Sequence, residues 1–424
     1  MLDLLIKQAR VLSDTGVCDI AVQNGVISEI SPSIPTLHAQ RVIDAQEQCV
    51  VPYLIDSHFH LDSVLSLGQP RINQSGTLFE GIQIWGELKK TLSQQDIVER
   101  ATRYCKWAIS QGIGAIRSHV DVSEPTLTTV SALLEVRDAM RDWLTIQLVA
   151  FPQDGYLRNP DQPALLARAL DMGVDLVGGI PHGERTMAQG AESIRQLCEI
   201  AAERGLRVDM HCDESDDPSS RHIEALAYHT QRLGLHGRVS ASHLTSLHSV
   251  DPYFLTKLLP LMAEAQVHAI ANPLINITLQ GRQDRYPKRR GLTCIPEMLE
   301  NGINVSLGHD CVLDPWYASG TGDMLEVASM AWHVAQMTKP QQAQDMIDMI
   351  TTRAARTMGL DDYGIQVGKP AHFVILEAKS AADLLRLKPS RQWVIRAGKV
   401  IANCPPQVRH LDLSGQSEVV EFRC

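Results

Sequence analysis

The sequence predicts an α/β protein: a (β/α)8 TIM barrel over residues 52–360, with a small accessory β domain built jointly from residues 1–51 and 361–424. Three observations predict it. Between residues 52 and 360, short apolar runs alternate with longer segments of helical period, as in a parallel sheet wrapped by helices. The runs number eight, the count at which βα units close on themselves. β-like texture broken by turn residues occupies both ends of the chain.

At the amino end, strands are expected at Leu4 to Ala9, Ile20 to Val22, Val26 to Ile30 and Arg41 to Asp44, with turns at Asp14-Thr15-Gly16 and Asn24-Gly25. The central strands end near His60, His119, Phe151, Ile180, His211, His243, Ala271 and Leu307. Helices are expected between them, among others over Gln94 to Ser110, Thr126 to Arg141, Ala191 to Arg204 and Ser220 to Leu233. After Gly364 the β texture returns in His372 to Leu376, Trp393 to Arg396 and Ala397 to Ile401.

With 424 residues, 44% of them hydrophobic, the chain can bury a large core. A net charge of -10 argues against a nucleic-acid or anionic-membrane partner and favours a small molecule. The main basic cluster, Lys288-Arg289-Arg290, reads as a solvated loop or an internal anchor. Nine cysteines without a C-x-x-C pair suit reduced thiols, and neither a signal peptide nor a membrane-length apolar stretch is visible, so a cytoplasmic enzyme is expected.

The chemistry gathers at the strand ends. His58 and His60 lie two apart on one strand, so both imidazoles face the same way while Phe59 faces the other. His211 closes Leu206 to Met210, and Asp310 follows Gly302 to His309. Three imidazoles and a carboxylate suit one divalent ion, Fe²⁺ or Zn²⁺, with Mn²⁺ also accommodated. Glu214, three residues past His211, is placed to carry protons. His243 could ligate the ion or hydrogen-bond its water. Gln153 offers both a donor and an acceptor to a planar amide edge. No lysine occurs between Lys106 and Lys257, so the modified lysine that bridges two ions in binuclear barrels is missing; Glu184 could stand in, although a charged loop residue is the simpler reading. One ion per chain is expected.

Together with these positions, Asp56-Ser57-His58-Phe59-His60, Asn73 to Gly81, Ser118-His119-Val120-Asp121-Val122, Val149 to Gln153, Ala271 to Asn276, Tyr286 to Gly291 and Asp314-Pro315-Trp316-Tyr317 resemble the amidohydrolase superfamily. Within it they are most similar to bacterial cytosine deaminases, over nearly the whole chain. The resemblance implies metal ligation by His58, His60, His211 and Asp310, proton transfer by Glu214, orientation of the hydroxide by His243, and a base pocket involving Gln153, Leu78, Phe151, Cys311 and Trp316. It implies deamination of cytosine or 5-methylcytosine, by attack of metal-bound hydroxide at C4, to uracil or thymine plus ammonia. It also suggests a homo-oligomer.

The sequence departs from that pattern at Cys311, where related enzymes place a second aspartate. If this position borders C5 of the ring, the exchange makes room for a methyl group; alternatively, Cys311 is a packing residue. An isoguanine or aminated-triazine hydrolase could use the same centre, and a catalytically silent barrel serving as a binding module is a further alternative.

Overall fold

The computed structural model describes residues 1–12 and 16–420; Asp14 and Thr15 of the first expected turn lie outside the described residues. Eight parallel strands form the central sheet: Leu54–Phe59, Ile113–Asp121, Thr145–Phe151, Leu176–Gly179, Arg207–Cys212, Val239–His243, His268–Ala271 and Val305–Leu307. Neighbours in sequence are neighbours in the sheet. The ring closes through a parallel bridge between Phe59 and Asp310, where Asp310 N donates to His58 O at 2.8 Å and His60 N donates to Asp310 O at 3.1 Å. The expected TIM barrel is present, and each strand ends within two residues of its expected position. Helices cover its outer face, which is why the first two strands are buried along their whole lengths.

The helix expected over Gln94 to Ser110 has those bounds, started by Ser93, whose side chain accepts from Asp96 N. The three other expected helices appear as Thr128–Met140, Met187–Arg204 and His222–Arg232. The second of these begins four residues earlier than its pattern suggested, because Thr186 accepts from Gln189 N and caps the extra turn. Elements with no counterpart in the expectation include the helix Leu78–Leu88, the helix Ala381–Leu387 and the three helices after the eighth strand, Met324–Val334, Gln342–Met349 and Thr352–Met358.

Both termini contribute to a second sheet of eight strands. The strand Cys49–Pro52, missed because its apolar run is short and flows directly into the first barrel strand, pairs parallel with Leu4–Val11 and antiparallel with Phe373–Leu376. It therefore stitches the amino-terminal strands to the carboxyl-terminal ones. Its side chains alternate between two cores, Val50 facing the second sheet and Cys49 and Val51 facing the barrel. A separate hairpin, His410–Leu413 with Gln416–Val419, is exposed along its length. Among the described residues no helix is long and apolar enough to cross a membrane, and the cysteines form no disulfide.

Candidate active site

The alternation of the first strand turns His58 and His60 into the barrel, while Phe59 points outward and stacks on Tyr104 with centroids 4.4 Å apart. His211 arrives from the end of the fifth strand, its Nε2 3.1 Å from His60 Nε2. Asp310 enters from the seam, its Oδ1 3.5 Å from His58 Nε2 and 3.4 Å from His60 Nε2. All four are buried. Burial lowers His60 to about 4, against an opposing pull from Asp310. Burial likewise holds His211 well below the ordinary histidine value, helped by the neighbouring imidazoles. Asp310 is opposed by its own burial, yet the imidazoles of His58, His243 and His60 keep its carboxyl well below the usual range.

Neutral imidazoles and an ionised carboxylate are the forms that ligate metals. The ring nitrogens of His60 and His211 aim at each other, and the buried His58 Nε2 has no hydrogen-bond partner. A shared cation accounts for both arrangements: His58, His60 and Asp310 bring their ligand atoms together, as do His58, His211 and His243, closely enough to hold a divalent ion.

His243 ends the sixth strand with Nε2 3.8 Å from Asp310 Oδ2 and Nδ1 3.5 Å from Glu214 Oε1. Amides of Asn276 at 3.0 Å and Asn272 at 3.3 Å sit against Nδ1. An amide NH₂ only donates, so Nδ1 accepts and the ring's hydrogen lies on Nε2, on the side of Asp310. Glu214 is buried, and desolvation, then the charge of Asp310, pushes its carboxyl well above the ordinary carboxylate range. Its burial therefore favours the protonated form. Asp213, in left-handed backbone, fixes its position by accepting from His222 N at 3.0 Å and Ile223 N at 2.9 Å at the start of the next helix.

Above the cluster lies a cavity walled by Gln153, Trp316, Leu78 and Cys311, with Glu214 and His243 at its inner end. Cys311 packs with Ile275 and Leu279 beside Leu78 and Trp316, its thiol 3.5 Å from Asp310 Oδ1. This wall is apolar. Of the expected pocket residues, Phe151 alone lies outside the cavity lining: its ring stacks on His211 at 4.1 Å and 14°, so it steadies that imidazole.

Sequence reasoning missed Ile82, Ile180, Ile275 and Leu279 in the cavity wall, and Asn272 and Asn276 behind His243. A usable signal existed for the two asparagines, which lie four apart at the start of a helix entered from a barrel strand. Glu184 is no bridge between ions: its Oε1 accepts from Tyr156 N at 2.7 Å and Leu157 N at 3.0 Å and ties down a loop. In the basic cluster, Arg289 pairs with Asp284 at 2.6 Å and Lys288 donates to Gly281 O at 2.9 Å, an internal anchor.

A parallel barrel with this polar cluster at the carboxyl ends of its strands defines a hydrolase of the kind that acts on C–N bonds with a divalent metal. Residues 41–403 match the model of the amidohydrolase family, and the chain belongs to that family. The pterin deaminase of Rhizobium rhizogenes is 30% identical over 93% of this chain and 90% of its own length. The N-isopropylammelide isopropyl amidohydrolase of Pseudomonas is 27% identical over 94% and 97%. Among solved structures, the 5-methylcytosine deaminase of Klebsiella pneumoniae liganded with 5-fluorocytosine superposes with a TM-score of 0.93, at 37% identity, covering 97% of this chain and 100% of that one.

Proposed function

We propose that this protein hydrolytically deaminates a free aminopyrimidine, 5-methylcytosine or cytosine, to thymine or uracil plus ammonia, with Fe²⁺, Zn²⁺ or Mn²⁺ at His58, His60, His211 and Asp310. The observation that carries the reading is a buried carboxyl, Glu214, beside His243 in a cavity that also holds the His/Asp cluster and an apolar wall at Cys311.

A divalent ion in this cluster would supply a nucleophile at neutral pH by lowering the pKa of a bound water from about 15.7 to roughly 7. The chain's own residues do the rest. Glu214 gives its proton to ring N3 as C4 is attacked, and the proton shed by the attacking oxygen passes through Asp310 to the amine, which leaves as ammonia. The Nε2 hydrogen of His243 orients the attacking oxygen, and Asp310 accepts the proton that oxygen sheds. Gln153 meets the amide edge of the ring with its donor and acceptor. Cys311, Ile275 and Leu279 receive the C5 side, and a methyl group there gains about 1–3 kcal/mol of discrimination from an apolar wall.

The test is ammonia release by metal-replete protein, with kcat/KM measured on cytosine, 5-methylcytosine, isoguanine, a 2-aminopterin and an aminated triazine. The reading requires the two pyrimidines to lead. A clear preference for a bicyclic or triazine substrate would replace it while leaving C–N hydrolysis in place.

A further inference from the structure

We propose that Ser242 and Asp209 fix the tautomer of His58, so that Nε2 presents its lone pair to the ion; the inference rests on the His/Asp cluster being a metal centre. Ser242, on the sixth strand, places its Oγ 2.9 Å from His58 Nδ1 and 2.8 Å from Asp209 Oδ1. A hydroxyl has one hydrogen to give. The other oxygen of Asp209 takes a hydrogen bond from Arg117 Nη1 at 2.8 Å, with both side chains fully buried. A carboxylate facing a buried guanidinium only accepts, so the hydrogen of Ser242 points to Asp209. Ser242 Oγ can then only accept from His58, which puts the imidazole hydrogen on Nδ1 and leaves Nε2 bare.

The rest of the structure agrees with that assignment. His58 Nε2 is buried without a hydrogen-bond partner, and it lies 3.5 Å from Asp310 Oδ1. The relay is also anchored at its far end. Arg117 Nη2 donates to Thr357 O at 2.9 Å, and Arg117 Nε to Gln147 Oε1 at 3.1 Å. Gln147 Nε2 in turn donates to Met358 O at 2.9 Å. The helix Thr352–Met358 thus holds, through Arg117, Asp209 and Ser242, the ring orientation of a ligand at the opposite end of the barrel. Ser242 and Asp209 are positioning residues, acting on the chemistry only through His58.

The experiment titrates metal-stripped protein with Zn²⁺ against a chromogenic chelator and records ¹⁵N shifts of labelled histidines. Ser242→Ala should weaken Zn²⁺ binding by about 10- to 100-fold, the usual cost of losing an orienting partner. Ser242→Thr, which keeps the hydroxyl, should restore much of it. Asp209→Asn should weaken binding further: its amide can donate to Ser242, turning the serine hydrogen toward His58 Nδ1 and moving the imidazole hydrogen to Nε2. The two ¹⁵N signals of His58 should then exchange character between wild type and Asp209→Asn. If that variant does not fold because Arg117 loses its countercharge, the Ser242 pair and the wild-type spectrum carry the test. Wild-type affinity in Ser242→Ala, equal losses in the alanine and threonine variants, or a hydrogen on Nε2 of His58 in the wild-type apoprotein would overturn the relay. His58→Ala separates the two levels: if it loses Zn²⁺ while Ser242→Ala does not, the relay alone falls, and if it binds normally, the metal centre and the relay fall together.

Discussion

His243 and Asp310 both hold left-handed backbone, with φ of 73° and 72°, a conformation that costs a non-glycine residue about 1–3 kcal/mol. The fold over-determines both. Asp310 is clamped by the seam hydrogen bonds to His58 and His60, and His243 by the asparagines behind its ring. Two predictions belong to single residues. Glu214→Gln keeps the shape of the acid and removes its proton, so metal content should be unchanged while kcat falls by about a hundredfold to ten-thousandfold; wild-type turnover in that variant would remove Glu214 from the chemistry. Cys311→Asp would set a charge into the apolar wall, and kcat/KM for 5-methylcytosine should drop selectively relative to cytosine. An unchanged ratio would make Cys311 a packing residue. At this scale the clustering of His58, His60, His211 and Asp310 was legible because strand alternation and strand-end position follow from local pattern. Asp209, Ser242 and Asn276 were not, since their meaning depends on which ring nitrogen they face, and that is decided by strands far apart in the chain.

The helix Leu78–Leu88 shapes the cavity from above, carrying Leu78 and Ile82 into its wall. It is pinned to the barrel by Trp85 Nε1, which donates to Asp121 at 2.8 Å, and by Lys89, which bridges Asp121 at 2.9 Å and Asp154 at 2.7 Å. Gly81 is what lets it lie against Trp316, because a Cβ there would meet the indole Cδ1 at 2.3 Å. Gly81→Ala should therefore displace Trp316 and raise KM for the base, with metal content unchanged and a smaller effect on kcat. Steady-state kinetics beside elemental analysis checks it, and an unaltered KM would mean that Trp316 does not border bound substrate. The helix escaped the sequence reading for a physical reason: two glycines in eleven residues weaken its intrinsic propensity, and the packing that repays them comes from Trp316 and the barrel rim. Its cap was visible in retrospect as Thr77, which accepts from Glu80 N. The barrel helices with longer apolar stripes were read to within four residues at their ends.

For the molecule as a whole, acid should be destabilising before it reaches the carboxylates. Burial lowers His182 and His268 to about 4, well under the ordinary value of 6.5. The unfolded chain therefore binds these protons first, so their contribution is intact above pH 6.5 and is lost as the pH falls toward 4. Urea midpoints of metal-free protein should decline across that window, and His268→Gln should flatten the slope; a parallel slope would show that His268 titrates normally. Metal analysis of active protein should find one equivalent per chain. Saturating metal at about a thousand times Kd would add roughly 4 kcal/mol to stability, visible as a lower melting temperature on chelation.

The seam between the first and last barrel strands carries a consequence for how the protein is made. Asp56 Oδ1 accepts from His309 N, a contact between residues 253 apart in the chain, and the Phe59–Asp310 bridge lies beside it. His58 and His60 sit on one lip of that join and Asp310 on the other. A chain emerging from the ribosome therefore holds the paired histidines long before it holds their carboxylate partner, and it cannot form the full binding set until the last strand has been synthesised and docked. Ring closure and site assembly are one event. A bound ion would then act as a rivet across the join, so its off-rate should track the opening of the ring.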